Sequence, residues 1–475
     1  MGRSPTTRAC DRCHAVKEKC RPVPGQKACE RCQRLQNVCL TLRPLGTAGR
    51  KPRYHRKEEV ATGLEERHAG SESSLPPSTP ASSVSESNIA TSPASEIMSV
   101  PRTPSALSRF SEREMFIIKG ISQGRPQIGH FLIVPSFRVN HHKTFARHLH
   151  TAPPWVHDAL IAAAALLAYE HEPEPFHEDR TIGHRRAASA ISTLRSLKGF
   201  DPGELSTFLM LAVSAITFAL YISGSSLSIC RHTLMTIKPK YDTSTEFDSD
   251  CLALLICLIE AETEECLLLA EVPTLRFKAE LANGYVDRFI GIAAPMLTHL
   301  YDICKISNAL RQDERPDPDE TTKALDAMES AVSKWIPAIP EGFADRFLQE
   351  EVVSLLAQAK VYRWFILLLI HRIRHPYGTE VAAGATLSDA ILRELWLTLE
   401  RTERSMPCVT VAFMVACFEL TDRNNRQMAL EKAEVFIEYS KEMRARIKDQ
   451  MKAFWTIKDI RGEVHWCDII TLLPR

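Results

Sequence analysis

Apolar positions are spread unevenly along the 475-residue chain, and from about residue 111 they recur in runs of helical length. One run spans Trp155 to Glu170, a second begins at Ser249 and a third begins at Glu351. All three are rich in Ala and Leu, which are strong helix formers, and they show little strand-like alternation. The segment DPDETTKALDAMESAVSKW adds an acidic first turn and a threonine as a candidate N-cap. The pattern predicts a large all-α domain over residues 111–475.

The stretch from Leu205 to Cys230 carries no charged residue across 26 positions. Its length fits a membrane span. However, it contains several Ser and Thr residues and is interrupted by Gly224. We therefore predict a buried pair of helices and no membrane partner.

Composition and charge change before the helical region. Residues 70–108 are rich in Ser, Thr and Pro and have few large apolar side chains, which is typical of a disordered linker. The basic run RKPRYHRK at residues 50–57 precedes them, and it indicates phosphate contacts or a nuclear import signal. Residues 1–57 hold 15 lysines and arginines against three acids, although the whole chain has a net charge of only +1. We expect a linker over residues 46–110, a nuclear location and a polyanionic partner for the N-terminal segment.

Six of the fourteen cysteines lie between Ala9 and Cys39, in two copies of the unit C-x2-C-x6-C. A two-residue gap allows two thiolates to bind one tetrahedral metal ion. Two zinc ions need eight ligand positions, so two of six thiolates must bridge the metals, and the symmetry of the repeat favours Cys10 and Cys29. The sequence thus predicts a two-zinc module over residues 1–45, with two zinc ions as cofactors. The predicted ligands are Cys10, Cys13, Cys20, Cys29, Cys32 and Cys39.

Two other uses of these cysteines are less favoured. A disulfide framework needs an oxidising compartment, whereas the chain opens with the polar and basic segment MGRSPTTRAC rather than an apolar signal segment. A single four-cysteine zinc ribbon would leave two cysteines without a role. The eight later cysteines are scattered, and we expect them to act as small buried hydrophobic residues.

The cysteine pattern resembles that of the fungal binuclear zinc cluster transcription factors, C-x2-C-x6-C-x5–12-C-x2-C-x6–8-C. The resemblance implies that Cys10, Cys13, Cys20 and Cys29 bind one zinc ion, and that Cys29, Cys32, Cys39 and Cys10 bind the other. It also implies two short helices around the cluster, the first of which is presented to the major groove of DNA.

The segment between the second and third cysteines, HAVKEK, corresponds to the part that reads DNA in this family. Lys17 matches a base-contacting lysine, and a lysine ammonium can donate to guanine. The usual half-site of this family is CGG-like, so the resemblance implies a half-site of that kind here. Lys19 matches a basic residue that contacts phosphate. The candidate DNA contacts are Lys17, Lys19, His14, Arg12 and Arg8.

Three positions of this segment have less positive character than the family has there. His14 and Val16 stand where arginine or lysine is common, and Glu18 adds a negative charge. Fewer phosphate contacts weaken binding to every sequence and reduce its salt dependence. We therefore expect weak DNA binding by a single module. Sustained heptads are absent, so a homodimer and a co-regulator both stay open as ways to strengthen it.

The C-terminal region resembles, more loosely, the helical regulatory domain of fungal zinc cluster factors, especially the sterol-responsive regulators of yeasts. The similarity lies in ALIAAAALLAYEH, in residues 284–303 and in residues 411–427. It implies a regulatory role, which in some members includes binding of a small apolar effector.

An enzymatic role finds little support in the sequence. His148 and His150 are spaced to chelate a metal, but no HExxH, nucleophile elbow, phosphate loop or paired-carboxylate motif accompanies them. We interpret these residues, together with His141 and His142, as surface histidines beside the linker, and we predict that the protein is not an enzyme.

Taken together, these features predict a nuclear, sequence-specific DNA-binding regulator of transcription by RNA polymerase II, with a biosynthetic gene cluster as one setting. Two alternatives remain. One is a small-molecule sensor in which the helical domain dominates and the zinc module binds DNA only with a partner. The other is a scaffold that uses the zinc cluster for protein contacts.

Overall fold

The computed structural model describes the chain in two groups of residues. Near the N-terminus these are residues 13, 19–21, 28–35 and 39, and in the remainder they are residues 110–123, 126–151, 153–171, 173, 176–197, 204–312 and 318–474. The chain divides into two compact units, Met1–Ile97 and Met98–Arg475. The predicted linker up to residue 109 lies outside the described residues, and the predicted domain boundaries stay predictions.

The unit Met98–Arg475 is built of α-helices, as the apolar runs predict. Among its described residues the only β-type pairings are two isolated bridges, Asp287 with Gly291 and Tyr377 with Val464. In the N-terminal unit the structure describes α1 (Glu30–Arg34). The helices of the second unit are α2 (Glu112–Ser122), α3 (Arg138–Thr151), α4 (Pro154–His171), α5 (His177–Ser196), α6 (Leu205–Ile222), α7 (Leu227–Thr243), α8 (Ser249–Leu269), α9 (Leu297–Arg311), α10 (Pro318–Lys334), α11 (Phe343–Arg346), α12 (Gln349–Arg374), α13 (Val381–Thr402), α14 (Thr410–Phe418), α15 (Arg423–Phe436), α16 (Lys441–Arg461) and α17 (Ile469–Leu472). Short 3-10 turns occupy Pro126–Phe131, Pro135–Phe137, Ala279–Ala282, Ala294–Met296 and Trp466–Asp468.

Polar side chains fix where several helices begin. Ser111 and Glu114 form a reciprocal capping box at the start of α2, with N···O distances of 2.9 and 3.2 Å. Asp248 accepts hydrogen bonds from the backbone N–H groups of Asp250 and Cys251, in the first turn of α8. The predicted acidic first turn of α10 is present, but the predicted threonine cap is wrong. Because α10 already begins at Pro318, both Thr321 and Thr322 lie inside the helix.

Helix α4 is a core helix of the helical unit. Residues 159–168 of α4 are all buried, which is typical of a helix surrounded by other helices. It packs against α5 and α6, and α6 packs in turn against α8. Gly183 on α5 allows close approach to α4, since a Cβ atom there would lie 2.6 Å from Cγ of Leu166.

The uncharged stretch from Leu205 forms the predicted pair of helices, α6 and the start of α7. The turn between them passes through Gly224, whose φ of 64° is in the left-handed region that favours glycine. By length and composition alone, α6 and α12 could each cross a membrane. Both are 67% buried inside the protein over their most apolar window, as expected for core helices.

A buried ion pair joins the ends of three helices. Arg372, near the end of α12, donates to both carboxylate oxygens of Glu419 at 2.6 Å, and the two side chains are 0% and 3% exposed. The guanidinium also donates to the carbonyls of Pro376 and Thr379. Gly384 of α13 faces it at a point where a Cβ atom would lie 2.0 Å from Nη2 of Arg372. This cluster therefore fixes α12, α13 and the segment after α14 against one another.

Candidate metal centre and interior cavity

The cysteine cluster of the N-terminal unit is organised around Cys29. Its backbone is extended, and its Sγ accepts a hydrogen bond from the N–H of Cys32 at 3.5 Å, so that Cys29 caps α1. Its own N–H donates to Sγ of Cys39 at 3.3 Å. The N–H of Glu30 donates to the carbonyl of Arg21 at 3.0 Å, which ties the second cysteine repeat to the end of the first.

Three thiols of this cluster have the geometry of metal ligands. The Sγ atoms of Cys13, Cys29 and Cys32 all lie within 4.8 Å of one another, and all three residues are buried. Sγ of Cys13 is 3.7 Å from Sγ of Cys29. Two thiolates on one tetrahedral zinc ion, with bonds of about 2.3 Å, are separated by about 3.8 Å. Cys20 and Cys39 pack against the three, so the donor set fits a thiolate-bound metal.

The electrostatics at Cys29 favour the thiolate form. The backbone N–H of Cys32 and contacts with the thiols of Cys32, Cys13 and Cys20 lower the pKa of Cys29 to about 6, against the opposing effect of burial. Deprotonated thiols are the form that binds zinc. Cys29 thus contacts cysteines of both repeats, as a bridging ligand would.

The other predicted site residues are placed only in part. Lys19 is exposed. The described residues do not include Cys10, Lys17, His14, Arg12 or Arg8, so the roles of these five residues stay predictions. The eight cysteines of the helical unit are free thiols. Of the eight later cysteines, five are buried and three are half-buried, as expected for structural residues.

The interpretation of the histidines as a surface group is wrong for two of them. His141 and His148 are buried, with exposures of 4% and 3%. His148 hydrogen-bonds through Nε2 to Oγ of Ser206 at 3.2 Å, and burial lowers its pKa to about 4. Within the part of the chain that the structure describes, the group with metal-ligand geometry is the cysteine cluster and contains no histidine.

An interior cavity, which the sequence patterns did not predict, lies between helices α2, α3, α4, α6, α8, α14 and α16. Its volume is about 150 Å³, and part of it opens to solvent. Most of the wall is apolar, but Glu260, Glu264 and Tyr439 also face it. One signal was present in the sequence, since Glu260 and Glu264 stand four residues apart, on one face of a helix whose preceding residues 251–259 are apolar.

Comparison with known proteins gives one match. A family model described as fungal specific transcription factor domain matches residues 135–473, which is well over half of the chain and lies inside the helical unit. No curated protein and no solved structure matches the chain.

Proposed function

The chain belongs to the family defined by the fungal specific transcription factor domain, and from this premise we propose that it is a nuclear, sequence-specific DNA-binding regulator of transcription by RNA polymerase II. The family supports the role of a non-enzymatic transcription regulator and implies that it acts in the nucleus. The remainder of the proposal concerns how the chain binds zinc and recognises DNA.

One observation carries the DNA-binding part. The Sγ atoms of Cys13, Cys29 and Cys32 converge within 4.8 Å, in a segment with 15 lysines and arginines against three acids. A metal-stabilised fold that small has little apolar core of its own, and its concentrated positive charge favours a polyanion. Double-stranded DNA is the polyanion that a nuclear regulator meets.

We assign two zinc ions to this module. Cys10, Cys13, Cys20 and Cys29 hold one ion, and Cys29, Cys32, Cys39 and Cys10 hold the other. Zinc supplies the cross-links that fix the fold of a short segment. The described contacts of Cys29 with Cys13, Cys20 and Cys32 support its role as one of two bridging ligands.

The DNA contacts follow from the basic residues around the first repeat. Lys17 donates to guanine in the major groove and reads a CGG-like half-site. Lys19, Arg8, Arg12 and His14 contact phosphates and set the orientation of the module without adding sequence information. Binding is strengthened by a second copy of the chain or by a co-regulator.

Selection of DNA from a random pool by the zinc-loaded full chain tests this function. The wild-type chain is expected to enrich a CGG-like half-site, and Lys17→Ala is expected to lose about 1–3 kcal/mol of discrimination at the guanine that Lys17 contacts. Lys27→Ala removes the same charge outside the DNA-reading segment, so it should weaken binding slightly and keep the sequence preference. The proposal fails if folded, zinc-loaded protein enriches no sequence at low salt, or if Lys17→Ala selects the same site as the wild type.

The interior cavity favours a second function for the helical unit, that of a small-molecule sensor. Its apolar wall and its position between seven helices are the properties of a ligand site. In this alternative the zinc module binds DNA only with a partner, and a ligand controls the complex. The selection experiment separates the two functions, because the sensor alternative expects enrichment only when the partner is added.

A further inference from the structure

The interior cavity is apolar over most of its surface but has one acidic region. Hydrocarbon side chains of α4 and α6, such as Leu160, Leu167 and Val213, form one wall. On the side of α8 the wall carries Glu260 and Glu264, one helical turn apart. Glu264 lies inside the protein, but its side chain is only half-buried, because part of its surface faces the cavity.

The two carboxyl groups lie close enough for each to affect the pKa of the other. The hydroxyl of Tyr362 donates to Oε1 of Glu260 at 3.3 Å. Burial raises the pKa of Glu264 to about 7 and that of Glu260 well above its usual value. When such a pair loses one of its two protons, the other proton is shared and the pair carries one negative charge.

The neighbourhood of this pair lacks a matching cation. The other charged groups that act on it most strongly are further carboxylates, Glu265 on Glu264 and Asp287 on Glu260.

The arginines nearby have other partners. Arg288 forms an ion pair with Asp250 at 2.6 Å. Arg446 also lines the cavity but lies against the turn at Gly224. Among the residues that the structure describes, the ion pairs include neither Glu260 nor Glu264. A buried negative charge without a partner is costly, so a cation from outside the protein would be bound favourably.

Aromatic rings face the same space. Phe145, Phe289 and Tyr439 line the cavity, and Phe131 lies at its wall. The faces of aromatic rings attract ammonium groups, by about 2 kcal/mol or more where water is excluded. Carboxyl groups together with aromatic faces are the chemistry that recognises an amine.

We propose that this cavity binds an apolar molecule carrying a protonated amine, with the ammonium group at Glu260 and Glu264 and the hydrocarbon body along α4 and α6. This inference names the ligand class for the sensor function proposed above. It rests on that function only in the claim that the bound ligand affects transcription. Binding can be measured without DNA, so a failure of DNA recognition does not affect the test.

Calorimetry on the full chain near neutral pH tests the proposal with three probes of the same shape: 1-aminoadamantane, 1-adamantanol and 1-adamantanecarboxylate. They share one rigid hydrocarbon body and differ in the charge of the head group. The amine is expected to bind at least about tenfold more tightly than the alcohol, because hydrogen bonds to charged groups are stronger. The carboxylate is expected to bind most weakly, since it meets like charge.

Two variants locate the site. Glu264→Gln keeps the size of the side chain and removes its charge, so the preference for amine over alcohol should disappear. Glu262→Gln removes another buried carboxylate of α8 that faces Thr274 rather than the cavity, and it should leave the preference unchanged. If Glu264→Gln does not fold, as judged by circular dichroism, Glu260→Gln takes its place with the same expectation. Equal affinities for amine and alcohol, no binding of the amine, or a preference that survives in both cavity variants would overturn the proposal.

Discussion

Replacing Cys29 with serine is expected to remove zinc from the N-terminal unit and to abolish sequence-specific DNA binding at the same time. Sγ of Cys29 lies 3.7 Å from Sγ of Cys13, and its neighbours come from both cysteine repeats. A serine hydroxyl stays protonated near neutral pH and is a poor zinc ligand. In zinc-finger peptides, structural zinc binds with an apparent free energy of roughly 10–16 kcal/mol, and this binding free energy is what stabilises the folded state. Loss of the ligand that we propose to be shared by two zinc ions should therefore unfold the module.

Elemental analysis of the purified full chain and electrophoretic shift of a CGG-like duplex measure the two effects. The wild type is expected to hold about two zinc ions per chain, and Cys29→Ser fewer than about one. Cys467→Ser is the matched control, since Cys467 is a half-buried thiol of the helical unit outside the cluster. It should keep both the zinc content and the DNA affinity. Normal zinc content and normal DNA binding in Cys29→Ser would contradict the assignment of the cluster as the metal centre.

Replacing Glu419 with glutamine is expected to lower the free energy of unfolding of the helical unit by about 3–5 kcal/mol. The substitution leaves the guanidinium of Arg372, which is 0% exposed, buried without its counter-charge. Carbonyl groups of Pro376 and Thr379 still accept hydrogen bonds from it but do not neutralise it. Gly384 packs directly on the guanidinium, so the site has little room for Arg372 to move toward water.

Urea unfolding followed by circular dichroism measures this effect. Asp389→Asn is the control, because Asp389 pairs with Arg393 on the exposed face of α13, where both side chains are more than 60% exposed. Exposed pairs contribute little, and a change within about 0.5 kcal/mol is expected. Similar losses in the two variants, or a loss below about 1 kcal/mol in Glu419→Gln, would show that the buried pair does not stabilise the fold as described.

Much of the fold could be predicted because the relevant signals are local. The Ala- and Leu-rich runs around Trp155, Ser249 and Glu351 all form helices, and the uncharged stretch from Leu205 forms a helix pair with a turn at Gly224. Helical propensity and the conformational freedom of glycine act within a few residues. The convergence of Cys13, Cys29 and Cys32 was also signalled by their spacing.

Other features could not be predicted because they depend on which helices become neighbours. His141 and His148 lie in a polar, histidine-rich segment, and their burial arises only when α3 packs into the helical unit. The cap of α10 was misplaced by a few residues because Pro318 is also a favourable first residue of a helix. Boundaries of this kind are decided by small differences in local free energy.

The sequence by itself determined the helical character of the region that begins near residue 111, the spacing of the cysteines and the concentration of positive charge at the N-terminus. Each of these features is set by residues that are close together in the chain. The tertiary structure alone decided that Arg372 meets Glu419, and that Glu264 of α8 and Tyr439, just before α16, face one cavity. These groups are separated by tens to hundreds of residues, and their meeting depends on how the apolar faces of many helices fill space together. Packing of that kind is a property of the whole unit, and a single local pattern does not encode it.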